Sequence, residues 1–327
     1  MAVTIKDIAK ASGYSRGTVD RALNNKTRIS DKTKYEIKKI AEELGYKPDL
    51  IARSLVNGVT MTIGVVVFDI SNRYFALLVN SIEKAAKTNN YSVIIMLQEK
   101  DPKLELKIID ELVNRKVDGI ILCPVNKGNE FAKRVRNLTM PVVTVGNYIS
   151  KDICCIGIDE KEAAYNATKR IISKGYEKIV FVCPFIEDGK KENIFVHSER
   201  LEGVKKAIKE VNDIEFEIIS HRKEIETIEF YIEGTKRVAL FCSGDMLALD
   251  IMKSLKSKNY TSPRDYGIMG FDGLDILDYV SPQLATISKP IDLIGMEAYS
   301  HLYKEINGEK TESYRTLGYT IVEGETI

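Results

Sequence analysis

From residue 62 onward the chain alternates between apolar runs suited to buried strands and stretches with helical spacing, and this alternation restricts the fold more than any other feature. Thr62-Ile63-Gly64-Val65-Val66-Val67-Phe68 is a continuous, largely β-branched run, the pattern of a parallel strand covered on both faces. The spacing then predicts a helix over 74–89, a strand over 92–97, a helix over 102–115, a strand over 119–123, a helix near 129–137 and a strand over 142–145. The series starts again with helix 160–174, strand 178–183, helix 197–212, strands 215–220 and 237–242, helix 246–258 and strand 266–270. Strands alternating with helices build doubly wound parallel sheets. Two such series predict two α/β lobes, with ligands held in the cleft beyond the carboxyl ends of the strands.

The first 58 residues follow a different pattern. They hold twelve Lys and Arg against seven Asp and Glu, a net +5, leaving −4 for the rest of a chain whose total is +1. A basic head on a mildly acidic body points to a polyanionic partner for the head. Thr4-Ile5-Lys6-Asp7 reads as a capped helix start, with Ile5, Ile8 and Ala9 at helical spacing and Gly13 as the stop. Ser15 caps a second helix bearing Val19, Ala22 and Leu23, and Ser30-Asp31 opens a third bearing Tyr35, Ile37, Ile40, Ala41 and Leu44. Two short helices joined by a tight glycine turn, followed by a third, form a helix-turn-helix unit. Its second helix would enter the major groove with Arg16, Gly17 and Arg21, the arginines suited to guanine O6 and N7. Further on, 50–58 predicts a helix of under two turns, too short to persist alone in water.

At this point the residues resemble a known family. Val3-Thr4-Ile5-Lys6-Asp7-Ile8-Ala9-Lys10-Ala11-Ser12-Gly13-Tyr14-Ser15-Arg16-Gly17-Thr18-Val19-Asp20-Arg21-Ala22-Leu23-Asn24, and later Ala41-Glu42-Glu43-Leu44-Gly45-Tyr46-Lys47-Pro48-Asp49, resemble the head of the lactose-repressor (LacI) family. The resemblance implies DNA contacts from Thr4, Ser15, Arg16, Gly17, Thr18, Arg21 and Asn24. It also implies a hinge helix in which paired Leu55 side chains wedge into the minor groove, with Ala52 one turn earlier. Asp20 departs from the family's usual Ser: it either pairs with Arg16 and holds its guanidinium or accepts from cytosine N4.

In the body, Asp69-Ile70-Ser71-Asn72-Arg73-Tyr74-Phe75, Arg200-Leu201-Glu202-Gly203 and Gly270-Phe271-Asp272 resemble the family's effector-cleft segments in family order. The resemblance implies that Tyr74, Phe75, Asn147, Arg200, Asp245 and Asp272 meet a sugar-like effector, its ring stacked on aromatics and its hydroxyls on polar and charged groups. Arg73 stands where a Pro is usual, Gly244 where a polar residue is frequent, and Gly146-Asn147 where an Asp/Arg-type pair is frequent. The implied architecture is a small all-α head plus two doubly wound parallel α/β lobes, similar to periplasmic binding proteins. The expected division is a DNA-binding domain over 1–47, a hinge over 48–60 and an effector and dimerisation domain over 61–327. Within the last, one lobe takes about 61–158 and 291–317, the other about 159–290 and 318–327.

Enzyme signatures are missing from the sequence: there is no GxGxxG after the first strand, no GxxxxGK[ST] and no G-x-S-x-G. The five scattered cysteines lack zinc-site spacing, the three histidines are isolated, and the start of the chain has no secretory pattern. The expectation is a cytoplasmic, nucleoid-associated, non-enzymatic repressor with no cofactor, metal or membrane contact. It would act as a homodimer on double-stranded palindromic operator DNA, since one reading helix spans one half-site. The alternatives are a regulator governed by a protein co-effector and a sugar-binding protein without a regulatory role.

Overall fold

The computed structural model describes residues 3–46, 58–183, 186 and 191–327. The chain divides between residues 60 and 61 into two compact units. In the first, helices α1 (Ile5–Ser12), α2 (Arg16–Leu23) and α3 (Asp31–Glu43) enclose Ile8, Val19, Ala22, Ile37 and Ala41. The α1 start is tied by Asp7, whose carboxylate accepts from the Thr4 N–H at 2.8 Å and hydroxyl at 2.7 Å. Gly13, at φ +74°, ends α1 in the left-handed region that a side chain resists. Ser15 and Ser30 cap the next two helices by accepting from the N–H groups of Thr18 and Thr33. Tyr35 differs from its expected place on the apolar face: it is 71% exposed, because Ile37 and Ala41 set the buried side of α3.

The second unit holds two six-stranded sheets. Along the chain come β1 (Thr62–Val67), α4 (Arg73–Thr88), β2 (Ser92–Leu97), α5 (Pro102–Asn114), β3 (Gly119–Leu122), α6 (Gly128–Arg136), β4 (Val142–Val145) and β5 (Cys155–Ile158). Next are α7 (Glu160–Ser173), β6 (Lys178–Val182), α8 (Phe195–Lys209), β7 (Glu215–Ile219), short helices α9 (Arg222–Ile225) and α10 (Glu229–Ile232), β8 (Val238–Cys242), α11 (Asp245–Ser257) and β9 (Gly267–Asp272). A 3₁₀ turn (Asp275–Tyr279), β10 (Ala285–Ser288), α12 (Ile291–Ile306), β11 (Tyr314–Leu317) and β12 (Thr320–Val322) complete it.

The first sheet runs β11-β5-β4-β3-β1-β2 and the second β12-β10-β9-β8-β6-β7. The strands are parallel except for the β10–β12 pair. Central strands such as β1, β3 and β8 are buried on both faces, the environment their unbroken apolar runs demand. Three short connections join the lobes: Asp159 after β5, Lys289-Pro290 between β10 and α12, and Gly318-Tyr319 between β11 and β12. The helix α12 returns to pack on α4 and on strands of the first sheet.

Helices α7 and α8 approach closely because Gly203 has no side chain: a Cβ there would lie 2.2 Å from the Lys161 carbonyl oxygen. The glycine of the Arg200-Leu201-Glu202-Gly203 segment is thus a packing residue. All five cysteines are free and buried. Among the described residues no helix is long and apolar enough to cross a membrane.

Candidate operator-reading helix and effector cavity

On α2, Val19 and Ala22 face the core, so the opposite side presents Arg16, Gly17 and Arg21 to solvent. The Arg16 and Arg21 side chains have no protein partner among the described residues. Two unpaired guanidinium groups beside a small residue on one exposed face suit the edges of base pairs. Thr18 and Ser15 share a hydroxyl hydrogen bond of 2.9 Å at the helix start. The Asp20–Arg16 pairing is not formed. Asp20 instead accepts from Asn24 Nδ2 at 2.8 Å and pairs with Lys26 at 3.1 Å. Those partners lie closer to its end of the helix, so Arg16 stays free and the Asn24 amide is engaged within the head. Gly17 is not required by the backbone, since a Cβ there would meet only Ser15 Oγ at 3.9 Å. Ala52 and Leu55 lie outside the described residues.

Between the lobes lies a cavity of about 600 Å³. Its first wall is the segment after β1. Asp69 accepts from the Ser71 hydroxyl and the Asn72 N–H, both at 2.7 Å, and Asn72 caps α4 through the Tyr74 N–H at 3.0 Å. This fixes Tyr74 and Phe75, whose rings meet edge to face at 5.1 Å, with Phe68 behind at 5.0 Å from Phe75. Burial pushes the Tyr74 phenol up to about 12.

The floor is ionic. Arg200 is 3% exposed and donates from Nε to Glu160 at 2.7 Å and from Nη1 to the Ser243 carbonyl at 2.6 Å. Its guanidinium lies 3.6 Å over the Phe271 ring. Lys289 pairs with Asp272 at 2.8 Å and sits 3.8 Å from Glu160, with its ammonium 4.3 Å over the Tyr74 ring. Burial opposes the charges of Arg200, Lys289 and Glu160, yet the pairings win. Arg200 and Lys289 hold Glu160 below the usual carboxylate range, and the acids hold both cations above theirs. Two cations and two carboxylates leave this floor without net charge. Asp272 takes φ +122°, a conformation that costs about 1–3 kcal/mol and persists only when its surroundings enforce it.

Tyr74, Phe75, Asn147, Arg200 and Asp272 therefore converge on one cavity. Asp245 does not. It is fully buried behind the wall, accepting from the Leu274 N–H at 2.9 Å and the Thr286 hydroxyl at 2.5 Å. As the first residue of α11 it turns toward β10, whereas Gly244 and Met246 reach the cavity. The Asn147 amide is spent on backbone: it donates to Pro124 and Asn193 and accepts from Val196, linking the lobes. Sequence reasoning missed Glu160 and Lys289, which sit at or beside two of the lobe connections.

Comparison with known proteins matches these two units to two family models. Residues 4–49 match bacterial regulatory proteins of the lacI family, and residues 60–320 match the periplasmic binding proteins and sugar binding domain of the LacI family. Catabolite control protein A of Priestia megaterium is 30% identical over 322 residues, covering 96% of this chain and 95% of its own. The solved lac repressor dimer bound to operator and the anti-inducer ONPF superposes with a TM-score of 0.86 at 19% identity, covering 100% of this chain and 99% of its own. A regulator from Alkaliphilus metalliredigens complexed with D-xylulofuranose gives a TM-score of 0.70 at 25% identity, covering 81% of this chain and 98% of its own. With both units matched in order and nearly the whole length covered, the chain belongs to the LacI family of DNA-binding transcription regulators.

Proposed function

We propose that the chain is a repressor that binds a palindromic operator as a homodimer and is switched by a neutral, sugar-like effector held between its lobes. The observation that carries this reading is the convergence of Tyr74 and Phe75 with the charge-balanced Arg200–Glu160–Lys289–Asp272 floor. Aromatic rings stack on the apolar face of a sugar, and fixed charged groups take its hydroxyls. An anionic ligand would leave an uncompensated charge in a buried site, which is costly. The complex of the Alkaliphilus regulator with D-xylulofuranose is consistent with the same ligand class.

Two-fold symmetry follows from the size of one reading helix against one half-site. Ile276 and Tyr279, the latter 89% exposed, offer apolar surface of the kind a second copy covers. The effector acts by favouring one arrangement of the lobes over another, since only differential affinity moves such an equilibrium. The hinge holding Ala52 and Leu55 is the segment assigned to pass that change to the DNA.

The test is in two steps. Selection from random duplexes with the full-length protein is expected to enrich an inverted repeat. Sugars that raise the melting temperature are then expected to lower affinity for that repeat. Failure to enrich any sequence, or an absence of thermal response across neutral sugars, contradicts the proposal.

A further inference from the structure

The exposed side of α2 carries more than arginines. Gly17, Asp20, Arg21 and Asn24 follow one another at helical spacing, away from the buried Val19 and Ala22. Asp20 keeps 41% of its side chain exposed there. We propose that Asp20 and Asn24 form an acceptor-only element of the reading helix. It selects, at one position of each operator half-site, a base that carries an exocyclic amino group in the major groove, cytosine or adenine. The inference rests on the operator-binding reading above and adds to it a second determinant of sequence beside the arginines.

Three observations support it. The first is where the Asn24 amide spends its hydrogens. Its nitrogen has two N–H donors, and it lies 2.8 Å from Asp20 Oδ1 and 3.0 Å from the Asp20 carbonyl oxygen. Turned over, the amide would set its own oxygen against those two oxygens, so its orientation is fixed. With both donors used, Asn24 has only Oδ1 to offer a partner outside the head. The second is the carboxylate of Asp20. An ionised carboxylate accepts and never donates, and it has room for about four hydrogen bonds. Asn24 and Lys26 take one each, the latter at 3.1 Å, which leaves acceptor capacity on a partly exposed group. The third is Gly17. A Cβ there would meet only Ser15 Oγ at 3.9 Å, so packing does not demand a glycine. The missing side chain, one turn before Asp20, clears the approach of a base edge to a short carboxylate.

The groups that DNA presents decide what such an element can meet. Phosphate oxygens are acceptors, so the backbone offers it no hydrogen bond. In the major groove guanine shows N7 and O6 and thymine shows O4, all acceptors, whereas cytosine N4 and adenine N6 donate. Nearby phosphates repel the charge of Asp20, and Lys26 offsets it from within the head. The helix therefore sets a donor-only fork, Arg21, beside an acceptor-only pair.

The experiment starts from the inverted repeat selected by the full-length parent chain. Each base pair of the half-site is replaced in turn, symmetrically, and fluorescence anisotropy follows the parent, Asp20→Ala, Asp20→Asn and Asn24→Ala. At one position the parent is expected to lose roughly tenfold in affinity when cytosine or adenine gives way to guanine or thymine. All three variants are expected to lower that preference, the two at Asp20 to within about twofold. Asp20→Asn is also expected to bind unrelated duplex more tightly than the parent, since a negative charge leaves the DNA face. A duplex whose base at that position lacks only the amino group, 2-pyrimidinone for cytosine or purine for adenine, is expected to reproduce the loss in the parent. This last measurement uses the parent chain alone, so the outcome does not depend on how a variant folds. Base preferences unchanged in both Asp20 variants, or an amine-free duplex that the parent binds as tightly as the natural one, overturn the inference and leave the operator reading intact. A parent chain that enriches no inverted repeat overturns both.

Discussion

Arg73 of the first lobe and Asp275 of the second form a two-pronged ion pair, with Nε–Oδ1 at 2.8 Å and Nη2–Oδ2 at 2.5 Å. Arg73 immediately precedes Tyr74, and Asp275 follows Asp272 by three residues, so the pair ties together two segments that line the cavity from opposite lobes. Each side chain is about half exposed, and exposed pairs are weak unless their geometry is good. Removing either partner is expected to weaken effector binding by roughly two- to fivefold, more at low salt. A double-mutant cycle with Arg73→Ala and Asp275→Ala, read by calorimetry, checks this; additive losses would show that the pair contributes nothing.

Arg21 is the proposed base contact of the reading helix. Its guanidinium is free on the exposed face of α2, so Arg21→Ala is expected to lower affinity for the selected inverted repeat by roughly ten- to a hundredfold. Binding to unrelated duplex falls much less, because a base contact adds specificity whereas phosphate contacts are indifferent to sequence. Fluorescence anisotropy with both duplexes measures the difference. Equal losses would move Arg21 to a phosphate.

Gly203 permits the close packing of α7 against α8. With a Cβ at 2.2 Å from one backbone oxygen and 2.9 Å from the Tyr165 nitrogen, Gly203→Ala must push the helices apart. The expected cost is about 1–3 kcal/mol, as for other overpacked cores. Chemical denaturation of the body should show it, and unchanged stability would mean that the helices yield freely.

Two buried groups give opposite pH dependence. Burial, with the nearby positive charges of Arg200, Lys100 and Lys289, pushes His197 well below the usual imidazole range. The unfolded chain takes up that proton near pH ~6.5, so the contribution from neutral His197 is present above that pH and is lost as pH falls below it. Burial, then the charge of Asp272, raises Asp245 to about 6. A carboxyl raised in the folded state has the reverse slope: its contribution grows as pH falls from about 6 toward the unfolded value near ~3.9. Between pH 7 and 5, His197→Gln is therefore expected to lose less stability than the parent chain, and Asp245→Asn more. Thermal melts across that range decide the matter, and three parallel curves would refute it.

The fold was readable because its signals are local. Apolar runs such as Val65-Val66-Val67 and Val238–Cys242 identify strands without reference to anything distant. Ser15 and Gly13 mark helix ends by chemistry that acts within a few residues. The site was readable only where one segment sufficed, as with Tyr74, Phe75 and Arg200. Lys289 and Glu160 escaped notice because an ammonium and a carboxylate far apart in sequence look like any other surface charges until the lobe connections bring them together. Asp245 was misplaced for a related reason: an acid at the start of a helix gives no sign of which side its carboxylate takes, and Thr286 settles that. Arg73 was visible as a departure from the family pattern, but its partner 202 residues away was not.

The three connections between the lobes set what the molecule can do mechanically. A single strand of chain would allow one lobe to swivel in any direction on the other. Three side by side resist twisting and leave bending as the soft motion. Glu160 and Lys289 sit at two of these crossings, within the same ionic cluster that floors the cavity. The fulcrum and the sensor are therefore built from shared atoms, and any ligand that redistributes those charges loads the joint directly, with no intervening lever.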